Sequence, residues 1–531
     1  MAKRLDPFKA SIQRLGLNQA SLSYHADLLH TALRQNQRPT FPILDTCRLD
    51  NGGVLPEPTF TEAAGKPWAS GYVAFVPAAG AASRYSQPLY ALSEALEQGD
   101  QQAAIDGLKA LANEGASAWP LPSQLAELVA QPSKLAHLNS SELKELSEHL
   151  QLPKALMPCA REGVSFLAMK HLEHTHFSGL SGQVFVTPPG MQQAFATHLS
   201  AELAANHTQA TALPTSYLEQ GAALSTIRFE RSGQPFIEQN GEVSPVPAGH
   251  GSLAQLFPEV SALFPASDAL FIRNIDNIMG TSPEVLAATQ RFLSLHRRIL
   301  TAVQHIRTAL GQADVPRAGA IAAGLAGALD LTKPGVATDS AEALLPAGPE
   351  YHLWLLQVRL FHARLDEPLT LDRLEKLYAR PVNVLGQVPN TQRDVGGTPC
   401  FITMPDTDSD TRRGGPKRGK VCLEVPHATP DDKLAKLANH ELATHFNPGF
   451  CAVEITSDPQ YYSKRNHHFW LMAEKTYRGQ AVVYYETVLY ELIGHSDFAN
   501  TVFVEVPRQV FHPHKTLRDA LDRTLASWLG A

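Results

Sequence analysis

The chain has 531 residues, and its 45 Lys and Arg against 52 Asp and Glu give a net charge of −7. With 44% hydrophobic and 18% charged residues it can build a large core, which excludes a disordered chain. The mild negative charge excludes a general nucleic-acid coat, and no stretch approaches the roughly 20 apolar residues that cross a bilayer. Five cysteines without a CxxC pair, and an N-terminus without an apolar signal core, predict a soluble cytoplasmic protein.

Apolar residues at three- and four-residue spacing predict helices over 5–15 and 20–33. The short apolar run YVAFVP, which follows Gly71, predicts a buried strand. Helical and strand-like runs then alternate: helices over 89–114 and 121–150, a strand over 182–188, a helix over 191–205 and a strand over 269–278. This alternation is typical of an α/β domain with a mainly parallel sheet.

The stretch 282–380 reads as mostly helical, and strand-like runs return after it. These later runs are PVNVLGQV, CFITM, KVCLEVP, AVEIT and TVFVEVP. The chain is therefore divided into a helical N-terminal segment (1–65), an α/β core (66–281), a helical insertion (282–380) and a C-terminal part that completes the core (381–531).

Small residues follow the first buried strand directly, in the sequence VPAAGAASR. Consecutive amide N–H groups of Ala79, Gly80, Ala81 and Ala82 can cradle a phosphate, and Arg84 can offer a forked guanidinium to the same anion. The alternative is a plain strand-to-helix turn. The spacing is neither GxGxxG nor GxxxxGK[ST], so it supports neither a Rossmann dinucleotide site nor a P-loop.

Three further motifs each have a functional and a plain interpretation. Lys154, between two prolines, is a fixed cation for a phosphate or a solvated loop residue. Gly249 and Gly251 flank His250, which allows close approach to a flat ligand or simply forms a turn. Asp276, at the end of a strand, is placed to hold Mg²⁺ or to cap a helix.

The sequence HELATH invites a zinc-protease assignment to His440, Glu441 and His445. Its spacing is HExxxH, however, and residues five apart on a helix point about 140° apart, whereas residues four apart differ by about 40°. The two imidazoles need a bulged or broken helix to share one Zn²⁺. A zinc metallopeptidase built on these residues stays an alternative function.

Three other clusters are expected to be of minor importance. The basic run 412–420 is a solvated loop or a phosphate lid, and the acidic cluster 406–410 is a polar loop that lacks the glycine of a calcium site. His171, His174 and His176 are expected on the polar face of a helix over 164–173.

The motifs FVPAAGAASR, LPKALMP, VPAGHGSL, FIRNIDNI, ATHFNP and NTVFVEVP occur in this order over most of the chain. The series resembles an uncharacterised bacterial family that is classed as a domain of unknown function with a nucleotidyltransferase-like fold. It is also similar to the UDP-sugar pyrophosphorylase branch of the sugar-phosphate nucleotidyltransferases. The resemblance implies a GT-A-type, Rossmann-like α/β fold: a mainly parallel mixed sheet flanked by helices, with a helical N-terminal segment and a helical insertion.

The implied reaction transfers a nucleotidyl group from a nucleoside triphosphate, UTP first, to a sugar 1-phosphate, with Mg²⁺ as cofactor and pyrophosphate as leaving group. The residue roles that the resemblance implies are catalysis for Arg84 and Lys154, nucleotide binding for Ala79, Gly80, Ala81, Ala82, Gly249, His250, Gly251 and Asn274, Mg²⁺ binding for Asp276, support from Asn277, and a second cation at Lys515. The chain departs from the family at 222–226 and 390–397. A non-catalytic protein that binds nucleotides or sugar phosphates on the same fold is therefore an alternative.

Overall fold

The computed structural model describes most of the chain, with gaps. The described residues are 8–35, 40–59, 67–80, 87–113, 123–139, 141–143, 146–147, 152–160, 162–205, 213–331, 346, 348–363, 365, 369–391, 396–404, 417–456, 458, 461–462, 465, 469–514, 519 and 524–525.

The strands among these residues are β1 (Ile43–Thr46), β2 (Tyr72–Pro77), β3 (Gly182–Thr187), β4 (Thr215–Glu219), β5 (Ser225–Ile227), β6 (Phe229–Glu230), β7 (Pro245–Pro247), β8 (Ala269–Arg273), β9 (Val382–Pro389), β10 (Thr398–Met404), β11 (Lys417–Leu423), β12 (His445–Phe446), β13 (Phe450–Glu454), β14 (Trp470–Tyr477), β15 (Gln480–Thr487) and β16 (Asn500–Glu505).

The α-helices are α1 (Lys9–Arg14), α2 (Gln19–Gln35), α3 (Gln87–Gln98), α4 (Gln101–Asn113), α5 (Ser123–Ala130), α6 (Phe166–Thr175), α7 (Gln192–Ala205), α8 (Phe257–Leu263), α9 (Pro283–Gly311), α10 (Val315–Ala328), α11 (Glu350–Leu355), α12 (Leu371–Tyr378), α13 (Pro430–Asp432) and α14 (Leu489–Gly494). Short 3-10 turns lie at 132–137, 154–156, 222–224, 250–256, 425–427 and 508–510, and wide π turns at 356–360 and 433–437.

An eight-stranded sheet forms the centre, in the order β12-β9-β13-β8-β2-β3-β4, with β16 also paired to β9. β2 is parallel to β3 and β8, β3 is parallel to β4, and β16 is parallel to β9. β13 runs antiparallel to both β8 and β9, and β12 antiparallel to β9. The predicted mainly parallel, mixed α/β sheet is confirmed.

Alternation along β2 shows why the sheet is covered on both faces. Tyr72 and Ala74 pack in the cluster that contains α9, α10, α11 and α12. Val73 and Phe75 pack on the opposite face, in the cluster that contains α8 and α14. The stretch 282–380, predicted to be a helical insertion, therefore supplies much of one covering layer. The predicted domain boundaries themselves stay a prediction.

Several elements differ from expectation. The helix expected over 89–114 is broken between α3 and α4, where Gly99 takes a φ of +71°. β1 lies within the segment expected to be helical and pairs with β10. The hairpin β14–β15 was not anticipated. No helix in the part of the chain that the structure describes is long and apolar enough to span a bilayer.

Candidate active site

The candidate site lies at the carboxyl edge of the central sheet. β2 ends at Pro77 and the parallel β8 ends at Arg273, so the loops that follow both strands leave the sheet at the same edge. In open α/β sheets this edge is where ligands bind. In the first of these loops Ala79 is half-buried and Gly80 is exposed.

Lys154 lies between the two loops. Its backbone N–H faces the carbonyl of Gly80 at 3.5 Å, and its side-chain Nζ is 3.3 Å from Oδ2 of Asp276. The Lys154 side chain is 9% exposed and that of Asp276 20% exposed. The structure thus brings Gly80, Lys154 and Asp276, which sequence reasoning selected separately, into one cluster.

A C-terminal strap, defined as residues 507–514, closes over this cluster. Nζ of Lys154 donates a hydrogen bond to the carbonyl of His514, and the N–H of His514 donates to the carbonyl of Asp276 at 2.9 Å. Asn277 donates from Nδ2 to the carbonyl of Val510 at 3.1 Å and accepts from the N–H of His512 at 2.9 Å. The predicted supporting residue Asn277 is buried and holds the strap against the Asp276 loop.

His514 is a neutral part of this strap. Burial lowers the pKa of His514 to about 4, and the positive charge of Lys154 acts in the same sense. Its ring meets that of Phe166 edge-on, with centroids 5.6 Å apart, and the Lys154 ammonium lies 5.1 Å from the centroid of the same phenyl ring. The Lys154 ammonium is therefore held by a carboxylate, a carbonyl and an aromatic face.

A buried clamp, defined as Lys170, Glu173 and Arg273, fixes the Asp276 loop from beneath. All three side chains are fully buried. Lys170 donates to Oε2 of Glu173 at 2.8 Å and to the carbonyl of Asn277, which also accepts from Arg273 at 3.0 Å. Oε1 of Glu173 accepts from the N–H groups of Met279 and Gly280.

Burial lowers the pKa of Lys170 to about 8 and that of Arg273 to about 10, while the Glu173 carboxylate opposes both shifts. The clamp therefore depends on its single carboxylate, because without Glu173 two buried cations would face each other.

The glycine turn 249–251 needs its glycines for packing against β15. A Cβ on Gly249, which has a φ of +81°, would lie 2.5 Å from the carbonyl oxygen of Thr487, and a Cβ on Gly251 would lie 2.6 Å from Oγ1 of Thr487. Contacts this short are sterically forbidden. The glycines thus set the position of the turn on β15, and this contact alone accounts for both of them.

His250 itself is exposed. Its surroundings lower the pKa of His250 by desolvation, while the negative charges of Glu486 and Asp276 act in the opposite sense. The imidazole is thus in electrostatic reach of the proposed metal ligand.

Asn274 is the last predicted nucleotide-binding residue that the structure describes. Its Oδ1 accepts a hydrogen bond from the hydroxyl of Tyr490. A Cβ on Gly449 would lie 2.5 Å from Nδ2 of Asn274, so the turn at Gly449 packs directly on this amide. Asn274 is oriented by these neighbours directly after the end of β8.

The HELATH segment does not form a metal site. His440 and Glu441 lie in a turn, Glu441 is exposed, and His445 begins β12 with Nε2 2.9 Å from Oε2 of Glu505. Within the ranges described above, no group of three His, Cys, Asp or Glu side chains is close enough to hold a metal ion. The helix that a metallopeptidase motif requires is absent there, because the chain enters a strand.

Two further expectations are wrong. His171 and His174 are buried rather than on a polar face, and each faces the side chain of Gln183, at 2.5 and 2.7 Å. Lys420, in the basic run, belongs to β11, is 1% exposed and lies with its Nζ 4.9 Å from the centroid of the Phe503 ring, so this residue is part neither of a solvated loop nor of a lid.

Several predicted residues lie outside the described part of the chain. They are Ala81, Ala82, Arg84, the acidic cluster 406–410, the stretch 411–416 of the basic run, and Lys515. Their assignments stay predictions.

The chemistry around Asp276 fits Mg²⁺. This ion commonly takes one or two carboxylates and completes its shell with water and substrate phosphates. Asp276 supplies one partly exposed carboxylate beside a cation and an exposed small-residue loop. A dedicated cage of protein ligands is not needed for such a site.

Comparisons with known proteins show what the chain is similar to. Residues 59–308 match the family model described as a domain of unknown function (DUF4301). No functionally curated protein matches the chain. The predicted resemblance to an uncharacterised family of nucleotidyltransferase-like fold is confirmed.

Solved structures of similar fold include two point variants of UDP-glucose pyrophosphorylase from Leishmania major, each in complex with UDP-glucose. Both are 12% identical to this chain with a TM-score of 0.50, and the alignments cover 97% and 98% of this chain and 78% of each variant. At this identity the likeness establishes the fold and not the activity. The expected pyrophosphorylase-like fold class is thereby confirmed.

Proposed function

We propose that this protein, whose residues 59–308 carry the DUF4301 domain, is a nucleotidyltransferase that joins a sugar 1-phosphate to a nucleotidyl group from a nucleoside triphosphate. The observation that carries the proposal is the meeting of Gly80, Lys154 and Asp276 at the carboxyl edge of a pyrophosphorylase-like sheet. UTP is the first nucleotide to test, because the similar structures hold UDP-glucose.

In the proposed reaction a phosphate oxygen of the sugar 1-phosphate attacks the α-phosphorus. A new P–O bond forms there, and the bond between the α-phosphorus and the bridging oxygen to the β-phosphate breaks, releasing pyrophosphate. Such a displacement needs positioning and charge stabilisation more than covalent help from the protein.

Lys154 has the central role in this proposal. In the structure its ammonium is held by Asp276 and by the His514 carbonyl. When phosphates enter, the ammonium exchanges these partners for phosphoryl oxygens and stabilises the charge that develops on them. Arg84, at the end of the small-residue loop, is proposed to hold the nucleotide phosphates, and Lys515 is proposed as a second cation.

Asp276 would hold Mg²⁺, which when bound lessens the negative charge of the triphosphate. Gly249, His250 and Gly251 are proposed to lie beside the base, because His250 is exposed and within electrostatic reach of Asp276.

The test measures pyrophosphate release from each nucleoside triphosphate with a panel of sugar 1-phosphates, with and without Mg²⁺. The proposal expects release that requires both substrates and Mg²⁺ and that is lost in Asp276→Asn. Binding of a nucleotide without release under any combination would instead support a non-catalytic binding protein. Absence of nucleotide binding would overturn the proposal.

A further inference from the structure

A second cleft, called here the amino-edge cleft, lies at the edge of the central sheet opposite the candidate active site. Its lining includes Gly71, which precedes β2, and Asp268, which precedes β8. Because β2 spans 6 residues at about 3.3 Å each, the cleft is roughly 20 Å from the loops that carry Gly80 and Asp276. Its volume of about 520 Å³ is typical of small-molecule sites, which occupy about 300–1,000 Å³.

An ion pair forms part of the cleft wall. Nη1 of Arg297, on α9, donates to both carboxylate oxygens of Asp268, at 2.7 and 2.8 Å. Nη2 of Arg297 donates to the carbonyl of Ser70 at 3.2 Å. A Cβ on Gly71, whose φ is +80°, would lie 2.7 Å from Nη2, so the guanidinium occupies the space that a side chain at residue 71 would need.

The opposite charges of this pair limit what the cleft can bind. Among the nine described residues that line the cleft, the charged ones are Asp268 and Arg297. A net charge on a ligand would be attracted by one partner and repelled by the other, whereas a hydroxyl group can hydrogen-bond to either. The Asp268 side chain is 41% exposed, and a carboxylate has about four lone-pair sites, so it can still accept from a ligand.

Ser267, directly before Asp268, has a hydroxyl that the fold does not use. The residue lines the cleft and is 7% exposed, and its Oγ has no hydrogen-bond partner in the described part of the chain. Buried polar groups of native proteins almost always have a partner. Because a serine hydroxyl turns about χ1 and both donates and accepts, a hydroxyl group of a ligand in the cleft can supply that partner.

The rest of the lining is largely apolar. The indole of Trp68 is half-buried and packs on Phe177 with ring centroids 5.5 Å apart, so the ring is held in place while part of it stays accessible. Pro67, Pro265 and Ala266 also line the cleft, and all three are exposed. An aromatic surface beside a few polar groups suits a ligand that has an apolar face and a polar rim.

We propose that the amino-edge cleft is a second ligand site, which binds a neutral sugar through its C–H face on Trp68 and through its hydroxyl groups on Ser267 and Asp268. A pyranose ring without a charged substituent has this combination of an apolar face and hydroxyl groups at its rim. The inference does not rest on the proposed function, because it concerns the edge of the sheet opposite the proposed catalytic residues.

Calorimetric titration of the full chain tests the proposal. The probes are the neutral sugars D-glucose, D-galactose and N-acetyl-D-glucosamine, with glucuronate as the anion and choline as the cation. We expect at least one neutral sugar to bind, and to bind roughly tenfold or more tightly than either charged probe.

Two variants locate the bound sugar. Trp68→Ala should weaken its binding by about tenfold or more, because the aromatic surface is lost. Ser267→Ala should weaken it by about three- to tenfold, because one hydrogen bond is lost. The same Ser267→Ala change should not lower the unfolding free energy, because the hydroxyl has no partner in the described part of the chain.

The matched controls are Tyr24→Ala, which removes a 40% exposed aromatic ring on α2, and Lys154→Ala at the other edge of the sheet. Both should bind the sugar as the parent does. If Trp68→Ala fails to fold, Ser267→Ala decides the result.

Three results would overturn the proposal, and each leaves the proposed function untouched. The first is no binding of any neutral sugar at about 10 mM. The second is tighter binding of choline or glucuronate than of every neutral sugar. The third is sugar binding that Lys154→Ala abolishes and Ser267→Ala leaves unchanged, because that sugar would occupy the candidate active site.

Discussion

Nζ of Lys154 lies 3.3 Å from Oδ2 of Asp276 and also donates to the backbone carbonyl of His514. The candidate cation and the candidate metal ligand are therefore hydrogen-bond partners of each other in the folded chain. Substrate has to displace both contacts of the ammonium, so the Lys154 side chain is the group whose removal tests the site most directly.

We expect Lys154→Ala to lower turnover on a verified substrate pair by about two powers of ten or more, as loss of a transition-state donor does. The fold should survive, because Asn277 and the N–H of His514 still hold the strap to the Asp276 loop when the Lys154 side chain is gone. The matched control is Lys109→Ala, which removes an exposed lysine of α4. Turnover within threefold of the parent in Lys154→Ala would contradict the assignment of this lysine.

The buried carboxylate of Glu173 leads to a prediction about the stability of the fold. Glu173→Gln leaves the buried cations Lys170 and Arg273 without their carboxylate, and breaking a buried ion pair in this way costs about 3–5 kcal/mol of unfolding free energy. Denaturant unfolding monitored by circular dichroism measures the loss. Asp372→Asn, which breaks the exposed pair with Lys376 on α12, should cost at most about 0.5 kcal/mol.

The double variant Glu173→Gln with Lys170→Met separates charge from packing. Removing one of the two buried cations should restore part of the lost stability, because fewer unpaired charges remain. If the double variant is as unstable as the sum of the two single changes, the clamp acts through its shape and not through its charge.

The sequence allowed much of the sheet to be predicted. β2, β3 and β8 are short apolar runs whose residues are all buried, and such runs indicate buried parallel strands. The β14–β15 hairpin could not be predicted from the sequence, because its turn is Arg478-Gly479 and not the Asn-Gly or Asp-Gly pair that signals such a turn. The two turn residues have φ values of +47° and +75°.

The site was predictable only where its residues stand beside a strand end or a proline. Lys154 and Asp276 carried such signals. His514, whose carbonyl accepts from Lys154, is 360 residues away in the sequence. A contact to a backbone carbonyl does not depend on the side chain, so no sequence motif predicts it. Lys170 and Glu173 are spaced three apart on a helix, which ordinarily indicates a solvated ion pair. Their complete burial follows from tertiary packing that spacing does not reveal.

The glycine turn gives a steric prediction. In Gly251→Ala the added methyl group would lie 2.6 Å from Oγ1 of Thr487, so the turn or β15 must shift, at a cost of about 1–3 kcal/mol. Thermal unfolding without any ligand measures this loss of stability. The control is Gly324→Ala in α10, where nothing lies within 4 Å and the change should be neutral or stabilising by up to about 1 kcal/mol. Parent-like stability in Gly251→Ala would mean that packing on β15 is not what requires glycine there.

The burial of His296 leads to a prediction about how the unfolding free energy depends on pH. It is fully buried in α9, with Nε2 3.1 Å from the carbonyl of Val382 and Nδ1 2.8 Å from the hydroxyl of Tyr72. Burial lowers the pKa of His296 from 6.5 to about 4. Between these values the unfolded chain binds a proton that the folded protein does not, so this histidine makes the unfolding free energy fall as the pH drops from about 6.5 to about 4.

We expect the unfolding free energy of His296→Gln to fall less than that of the parent between pH 7.5 and pH 4.5, by on the order of 2 kcal/mol, because the variant lacks this titration. Denaturant unfolding at the two pH values gives the difference directly, and contributions from all other groups cancel in the comparison. His305→Gln, an exposed histidine of the same helix, should keep the pH dependence of the parent. Equal losses in the parent and in His296→Gln would mean that His296 is protonated in the folded protein, against the neutral state that its burial favours.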